Sequence, residues 1–119
     1  MPTVAVIGAS REPGKYGNRA VRAYLRQGWT VYPVNPTERE VEGLPAFASI
    51  TDIPGPVDRA TVYVPPRVGQ TLLAGIKAKG VGELFLNPGS ESDELVAEAE
   101  RLGLEPILAC SIVDIGERP

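Results

Sequence analysis

The sequence contains no histidine and a single cysteine, Cys110. Without histidine there is no side chain that titrates near neutrality, and the commonest metal ligand is missing. Zinc hydrolase, Ser-His-Asp and Cys-His chemistries each lose their central residue. One cysteine cannot form an intrachain disulfide framework. A basic excess is also lacking: the formal net charge is −3, which argues against a nucleic-acid partner. No apolar run approaches the roughly 20 residues of a membrane span. Met1 and Pro2 lead directly into a strand-like run with no charged region before it, so no secretory leader and a cytoplasmic location are expected. Among 119 residues, 43% are hydrophobic, enough for one domain, expected over 1–119, with a small core.

What is present is an alternation of short apolar runs and longer amphipathic ones. Thr3 to Ile7 is a continuous apolar and β-branched run, as for a strand buried on both faces. Residues 17–27 carry Ala20, Val21, Tyr24 and Leu25 on one helical face and close at Gly28. Trp29 to Val34 reads as a second strand and Ala60 to Val64 as a third. Between them, Leu44-Pro45 and Ile53-Pro54 suggest extended turns, with a short helical turn near Ser49 to Asp52. A helix follows Pro65-Pro66. Glu83 to Leu86 is a fourth strand, Ser92 an N-cap, and Pro106 to Ala109 a fifth strand. Strands alternating with helices predict an α/β, Rossmann-like three-layer sandwich with a five-stranded parallel sheet, here expected in the order 3-2-1-4-5. Ligands of such sheets bind at the carboxyl ends of the strands, at the topological switch point.

The most informative loop runs from Gly8 to Gly17, between the first strand and the first helix. Glycine lets backbone approach a phosphate, the helix N-terminus offers free N–H groups, Lys15 adds a cation and Ser10 a hydroxyl. Neither standard nucleotide motif is met. Ser10 and Pro13 stand where the dinucleotide fingerprint has its second and third glycines. The spacing from Gly8 to Gly14-Lys15 is one residue too long for a P-loop, and Tyr16 replaces the magnesium-holding hydroxyl. Asn35 ends the second strand where an NAD site carries Asp or Glu, which disfavours NAD. An NADP site would want an arginine for the 2′-phosphate; Arg39 is near in sequence but lies past Pro36, and a solvated side chain is the alternative reading.

Together, Val6-Ile7-Gly8-Ala9-Ser10, Lys15-Tyr16-Gly17, Tyr32-Pro33-Val34-Asn35-Pro36, Gly43-Leu44-Pro45, Val62-Tyr63-Val64-Pro65-Pro66 and the Cys110 region resemble the small stand-alone CoA-binding domain proteins. These are relatives of the N-terminal domain of the succinyl-CoA synthetase α subunit. The resemblance runs along nearly all of the chain. It implies non-covalent binding of coenzyme A or an acyl-CoA, with the phosphates at Gly8, Ala9, Ser10 and Lys15. Val34, Asn35 and Pro36 would lie against the adenosine, and Val64, Pro65 and Pro66 would border the nucleotide. Tyr16, Gly17, Asn87 and Gly89 complete the expected cofactor contacts. The chain departs from its relatives at Asn87-Pro88-Gly89, where Gln-Glu-Gly is frequent, and the synthetase's phosphorylated histidine belongs to a domain not represented in it.

The reading names no catalytic residue and no metal site, and favours a non-catalytic or regulatory CoA-binding module. Two alternatives stand beside it. One is an NAD(P)- or acyl-CoA-dependent enzyme using Tyr16, Asp114 and Glu117. The other is a dimerisation or interaction module that has lost the ligand; a protein partner or a homo-oligomer is open in either case. Cys110 is read as a small packing residue or as a partner for a mixed disulfide with the CoA thiol.

Overall fold

The computed structural model describes residues 2–119. Its main sheet has five parallel strands: β1 (Thr3–Ile7), β2 (Thr30–Val34), β5 (Arg59–Val62), β6 (Glu83–Leu86) and β7 (Pro106–Leu108), in the spatial order β2-β1-β5-β6-β7. A separate ribbon pairs β3 (Glu40–Val41) with β4 (Leu44–Pro45) antiparallel. Four helices, α1 (Tyr16–Arg26), α2 (Pro66–Lys79), α3 (Asp93–Arg101) and α4 (Ser111–Asp114), complete the chain.

The α/β three-layer expectation holds, but the strand order is corrected. Counting only the five main strands, the sheet reads 2-1-3-4-5, not 3-2-1-4-5. The expected order puts the third main strand, β5, at an edge. All four of its residues are buried, and it pairs with β1 on one side (Val4↔Arg59 to Ile7↔Val62) and with β6 on the other. The free side of β2 is occupied instead by the segment that follows it: Phe47 bridges Val34, its N–H donating to Pro33 O and its carbonyl accepting from Asn35 N, both at 2.9 Å. Pro33 within β2 suits this position, because a proline is tolerated on an edge strand and not inside a sheet.

That intervening segment is more structured than its prolines suggest. The β3–β4 turn places Glu42 at φ +51°, a left-handed conformation that two-residue hairpins require. Its carboxylate accepts from Asn18 Nδ2 at 3.0 Å, which fastens the ribbon to α1. A 3-10 turn at Ile50–Asp52, capped by Ser49, matches the short helical turn expected there.

Alternation along the strands divides the core. Val4, Val6 and Val31 pack with Ala20, Val21 and Tyr24 of α1 and Ile112 of α4. Ala5, Ile7, Ala60, Val62, Leu84 and Leu86 face Leu73 and Ile76 of α2 and Leu95 and Ala99 of α3. Helices thus cover both faces of the sheet, and its burial on both sides explains why the central strands are continuously apolar.

One charge is embedded in the first layer. Arg59 is 7% exposed. Its guanidinium donates to Glu83 Oε1 (3.0 and 2.8 Å), to Asp114 Oδ2 (2.9 Å) and to the Tyr24 hydroxyl (3.3 Å), and lies between the rings of Trp29 and Phe85. Burial opposes its charge, but the Tyr24 hydroxyl and the Glu83 and Asp114 carboxylates outweigh that and raise its pKa above the ordinary value. The network joins β5, β6, α1 and α4. Replacing Arg59 with Met keeps the volume and strands a buried Tyr24 hydroxyl, whereas the half-exposed carboxylates of Glu83 and Asp114 can rehydrate. Arg59→Met is therefore expected to cost about 2–3 kcal/mol in urea unfolding; an unchanged midpoint would show that the network contributes nothing.

Candidate functional site

The order 2-1-3-4-5 places the switch point between β1 and β5, so the crevice lies where the loops leaving these two strands part. A cleft of about 800 Å³ opens there. Its walls come from four places: Gly8 and the 14–17 segment after β1, Tyr63, Val64 and Pro65 after β5, 87–90 after β6, and Cys110 and Val113 after β7.

Two glycines shape the first wall. Gly8 has φ +91°, and a Cβ there would sit 3.0 Å from the Tyr63 carbonyl and from Val64 Cγ1. A Cβ on Gly17 would fall deep inside the Gly8 carbonyl oxygen. Exit turn, first helical turn and β5 exit therefore meet backbone to backbone, and the residues between form an arch held from within. Gly8 N and Ala9 N donate to Val34 O, Asn35 Nδ2 to Ala9 O (2.8 Å), Asn18 Nδ2 to Ser10 O (2.9 Å), and Glu12 N to Ser10 Oγ (3.0 Å). At the arch's end Lys15 is the N-cap of α1, with no side-chain cap bond and no acidic residue in the first turn. The positive end of α1 thus opens on the cleft through Tyr16 and Gly17.

The floor is a closed polar network. Asn87 Nδ2 donates to Thr61 Oγ1 (2.7 Å) and Val62 O (2.9 Å), and Asn87 Oδ1 accepts from Ser111 N (2.9 Å). The Ser111 hydroxyl bonds Thr61 (2.7 Å) and the Tyr63 hydroxyl (3.3 Å). Burial pushes the Tyr63 phenol up to about 12, against smaller lowering by its Ser111 and Thr61 hydrogen bonds.

Of the residues expected from sequence, Gly8, Lys15, Tyr16, Gly17, Val64, Pro65, Asn87 and Gly89 line this cleft. Ala9, Ser10, Val34, Asn35, Pro36 and Pro66 do not. The Asn35 side chain is largely engaged within the loop: its Oδ1 accepts from Thr37 N, Thr37 Oγ1 and Glu38 N, and one of its two amide N–H groups donates to Ala9 O. The Asn87 side chain is likewise used within the protein. Sequence reasoning missed Tyr63, Ser90 and Val113. Tyr63 directly precedes the expected Val64-Pro65 wall, so strand alternation could have found it; Val113 and Ser90 carry no such signal. Tyr16, Asp114 and Glu117 are not assembled as an acid–base group. Asp114 is held by Arg59. Glu117 accepts from Gln27 and Arg26, which lower its pKa in that order.

A parallel α/β sheet of this order, with an open cleft at its switch point, defines a Rossmann-like ligand-binding domain. The chain belongs to the CoA binding domain family, whose pattern matches residues 2–115. It is 40% identical over 115 residues to the α subunit of an ADP-forming acetate–CoA ligase II from Pyrococcus furiosus; the match takes in 87% of this chain and spans only 25% of that subunit. Among solved structures, a conserved hypothetical protein from Pyrococcus furiosus superposes with a TM-score of 0.86 at 34% identity, covering 96% of this chain and 99% of the other. A dinucleotide-forming acetyl-coenzyme A synthetase 1 from Candidatus Korarchaeum cryptofilum, solved with phosphate and ADP, gives 0.78 at 31% identity over 90% of this chain and 25% of its own.

Two outcomes follow from the floor network. Asn87→Ala leaves Ser111 N and Val62 O without buried partners and is expected to cost about 2–3 kcal/mol in chemical denaturation. Tyr63 has a folded pKa raised from 10.0 to about 12. Its protonated form is common to both states below pH 10, so stability is full there. Between pH 10 and 12 the unfolded chain loses the proton first, and stability falls. In a tyrosinate absorbance titration, Tyr63→Phe should remove a step at about pH 12; survival of that step in the variant would assign it elsewhere.

Proposed function

We propose that the cleft binds coenzyme A or an acyl-CoA and that the chain holds this ligand without transforming it. The observation that supports this most is the uncapped positive end of α1, opening on the cleft beside Lys15. Phosphate groups at a helix N-terminus gain both N–H donors and the helix dipole. The cleft's size suits a ligand of this class, for which volumes of about 300–1,000 Å³ are usual. Val64, Pro65 and Val113 offer an apolar wall to the pantetheine arm, and Pro66 at the first position of α2 brings no N–H that would need a partner. In this reading the adenosine reaches toward Val34–Pro36, where Asn35 shapes the loop from inside and keeps one amide N–H for the ligand. Asn35 also holds Ala9 O and the turn at Thr37, which sets the rim.

Lys15 is 63% exposed and lies 3.6 Å from Glu12, so its charge is partly offset and well solvated. Its contribution is accordingly that of a screened ion pair. Lys15→Ala is expected to weaken CoA binding about three- to tenfold at low salt, with the difference shrinking as salt rises and the melting temperature unmoved. Glu12→Gln should strengthen binding in the same assay. Calorimetric titration of CoA and NAD checks the assignment: CoA is expected to bind more tightly, and tight NAD binding without CoA binding would overturn it.

A further inference from the structure

Beyond the Pro119 edge of the cleft, four of the chain's twelve lysine and arginine residues converge on one groove of about 190 Å³. Arg19, Arg22 and Arg26 form a stripe along α1, and Arg118 lines the groove with them. Spacings of three and four residues put neighbours on one helical face, where like charges repel. Only Arg26 is neutralised, by Glu117 at 2.9 Å; Arg19, Arg22 and Arg118 enter no ion pair among the described residues.

Two of these three guanidiniums are nevertheless held in place. Arg22 donates Nε to Asn18 Oδ1 (2.7 Å) and Nη2 to Pro13 O (2.8 Å), and Arg19 lies 5.1 Å from the centre of the Tyr16 ring. Both partners of Arg22 are neutral, so its position is fixed while its charge is left over. Fixed guanidiniums lose little freedom on binding, and their planar forks match phosphoryl oxygens. In a chain of net charge −3, this is an isolated concentration of uncompensated positive charge. A diphosphate is of the groove's size.

We propose that this groove is a binding site for a phosphoryl anion, either free diphosphate or the diphosphate of a nucleotide. It meets the cleft at Pro119, which lines both, but its charged side chains are its own and the proposal does not rest on the CoA assignment.

The test follows the arginine Nε–Hε signals of the full chain by NMR during titration with inorganic diphosphate, ADP and adenosine. Diphosphate and ADP are expected to shift the Arg19, Arg22 and Arg118 signals saturably, with Kd about 1 mM or below, and adenosine is not. Equal affinity for diphosphate and ADP identifies a free-anion site; much tighter ADP identifies a nucleotide. Arg118→Gln, a residue with no hydrogen bond to lose, and Arg19→Gln should each weaken diphosphate about three- to tenfold and leave the CoA isotherm unchanged. The proposal is overturned by any of three results: no saturable shift at these arginines, undiminished binding in both variants, or binding of an acidic peptide without diphosphate. Parallel loss of CoA binding in the variants would also overturn it, by making the groove part of the cleft.

Discussion

The backbone contact between Gly8 and the first turn of α1 is the constraint on which the cleft depends. A side chain at Gly17 has no room against the Gly8 carbonyl, and one at Gly8 would press on Tyr63 and Val64. Because neither residue has a side chain, the end of β1, the start of α1 and the exit of β5 can share one point. The residues between Gly8 and Gly17 are then forced outward as an arch, and the open end of α1 is delivered to the rim instead of being buried. The buried amide of Asn18 and the half-buried one of Asn35 hold the arch by its carbonyls, so the arch is braced from within the protein.

The same economy governs the floor. Asn87 joins three strands' worth of chain ends with one side chain: the hydroxyl of Thr61 and the carbonyl of Val62 from β5, its own place after β6, and the N–H that starts α4. A carboxylate at this position would lose the donor and face the Val62 carbonyl, so the amide is matched to its partners. Against Gln-Glu-Gly an amide is kept at Asn87, while the place of the carboxylate is taken by the exposed Pro88 on the cleft wall, above a floor of satisfied polar groups. Arg59 plays the corresponding part at the opposite end of β5, where its two carboxylates and two aromatic faces bind the sheet to α1 and α4. The strand that lies at the centre of the sheet is therefore anchored at both ends by polar side chains whose partners come from distant segments.

Local patterning made most elements legible. Gly28, Gly80 and Gly103 follow three helices, Ser92 caps α3 with its side chain, and the apolar runs became strands with boundaries shifted by a residue or two. The Gly8–Gly17 segment could be recognised as a wall of the cleft because glycines, lysine and position agree. The strand order was not obtained, although Pro33 carried a clue: a proline inside β2 belongs at an edge, and the expected order placed β2 in the interior. The β3–β4 ribbon escaped notice because its strands are two residues long and its turn uses Glu42, a residue with no intrinsic preference for positive φ.

Sequence alone determined the class of fold, the alternation of layers and the loop from which the cleft is built, since these depend on periodicity and on glycine positions that act within a few residues of themselves. It also excluded histidine-based chemistry outright. Tertiary structure decided which loops face one another, and with them the membership of the site. Asn35 and Asn87 look like ligand-binding amides in a linear reading; in the fold Asn35 also braces Ala9 and Thr37, and Asn87 also ties Thr61, Val62 and Ser111 together. Tyr63, Val113 and Cys110 reach the cleft because β5 lies beside β1 and α4 follows β7. Whether a polar side chain is free or already paired depends on neighbours distant along the chain, and strand pairing, an interaction over tens of residues, fixes who those neighbours are.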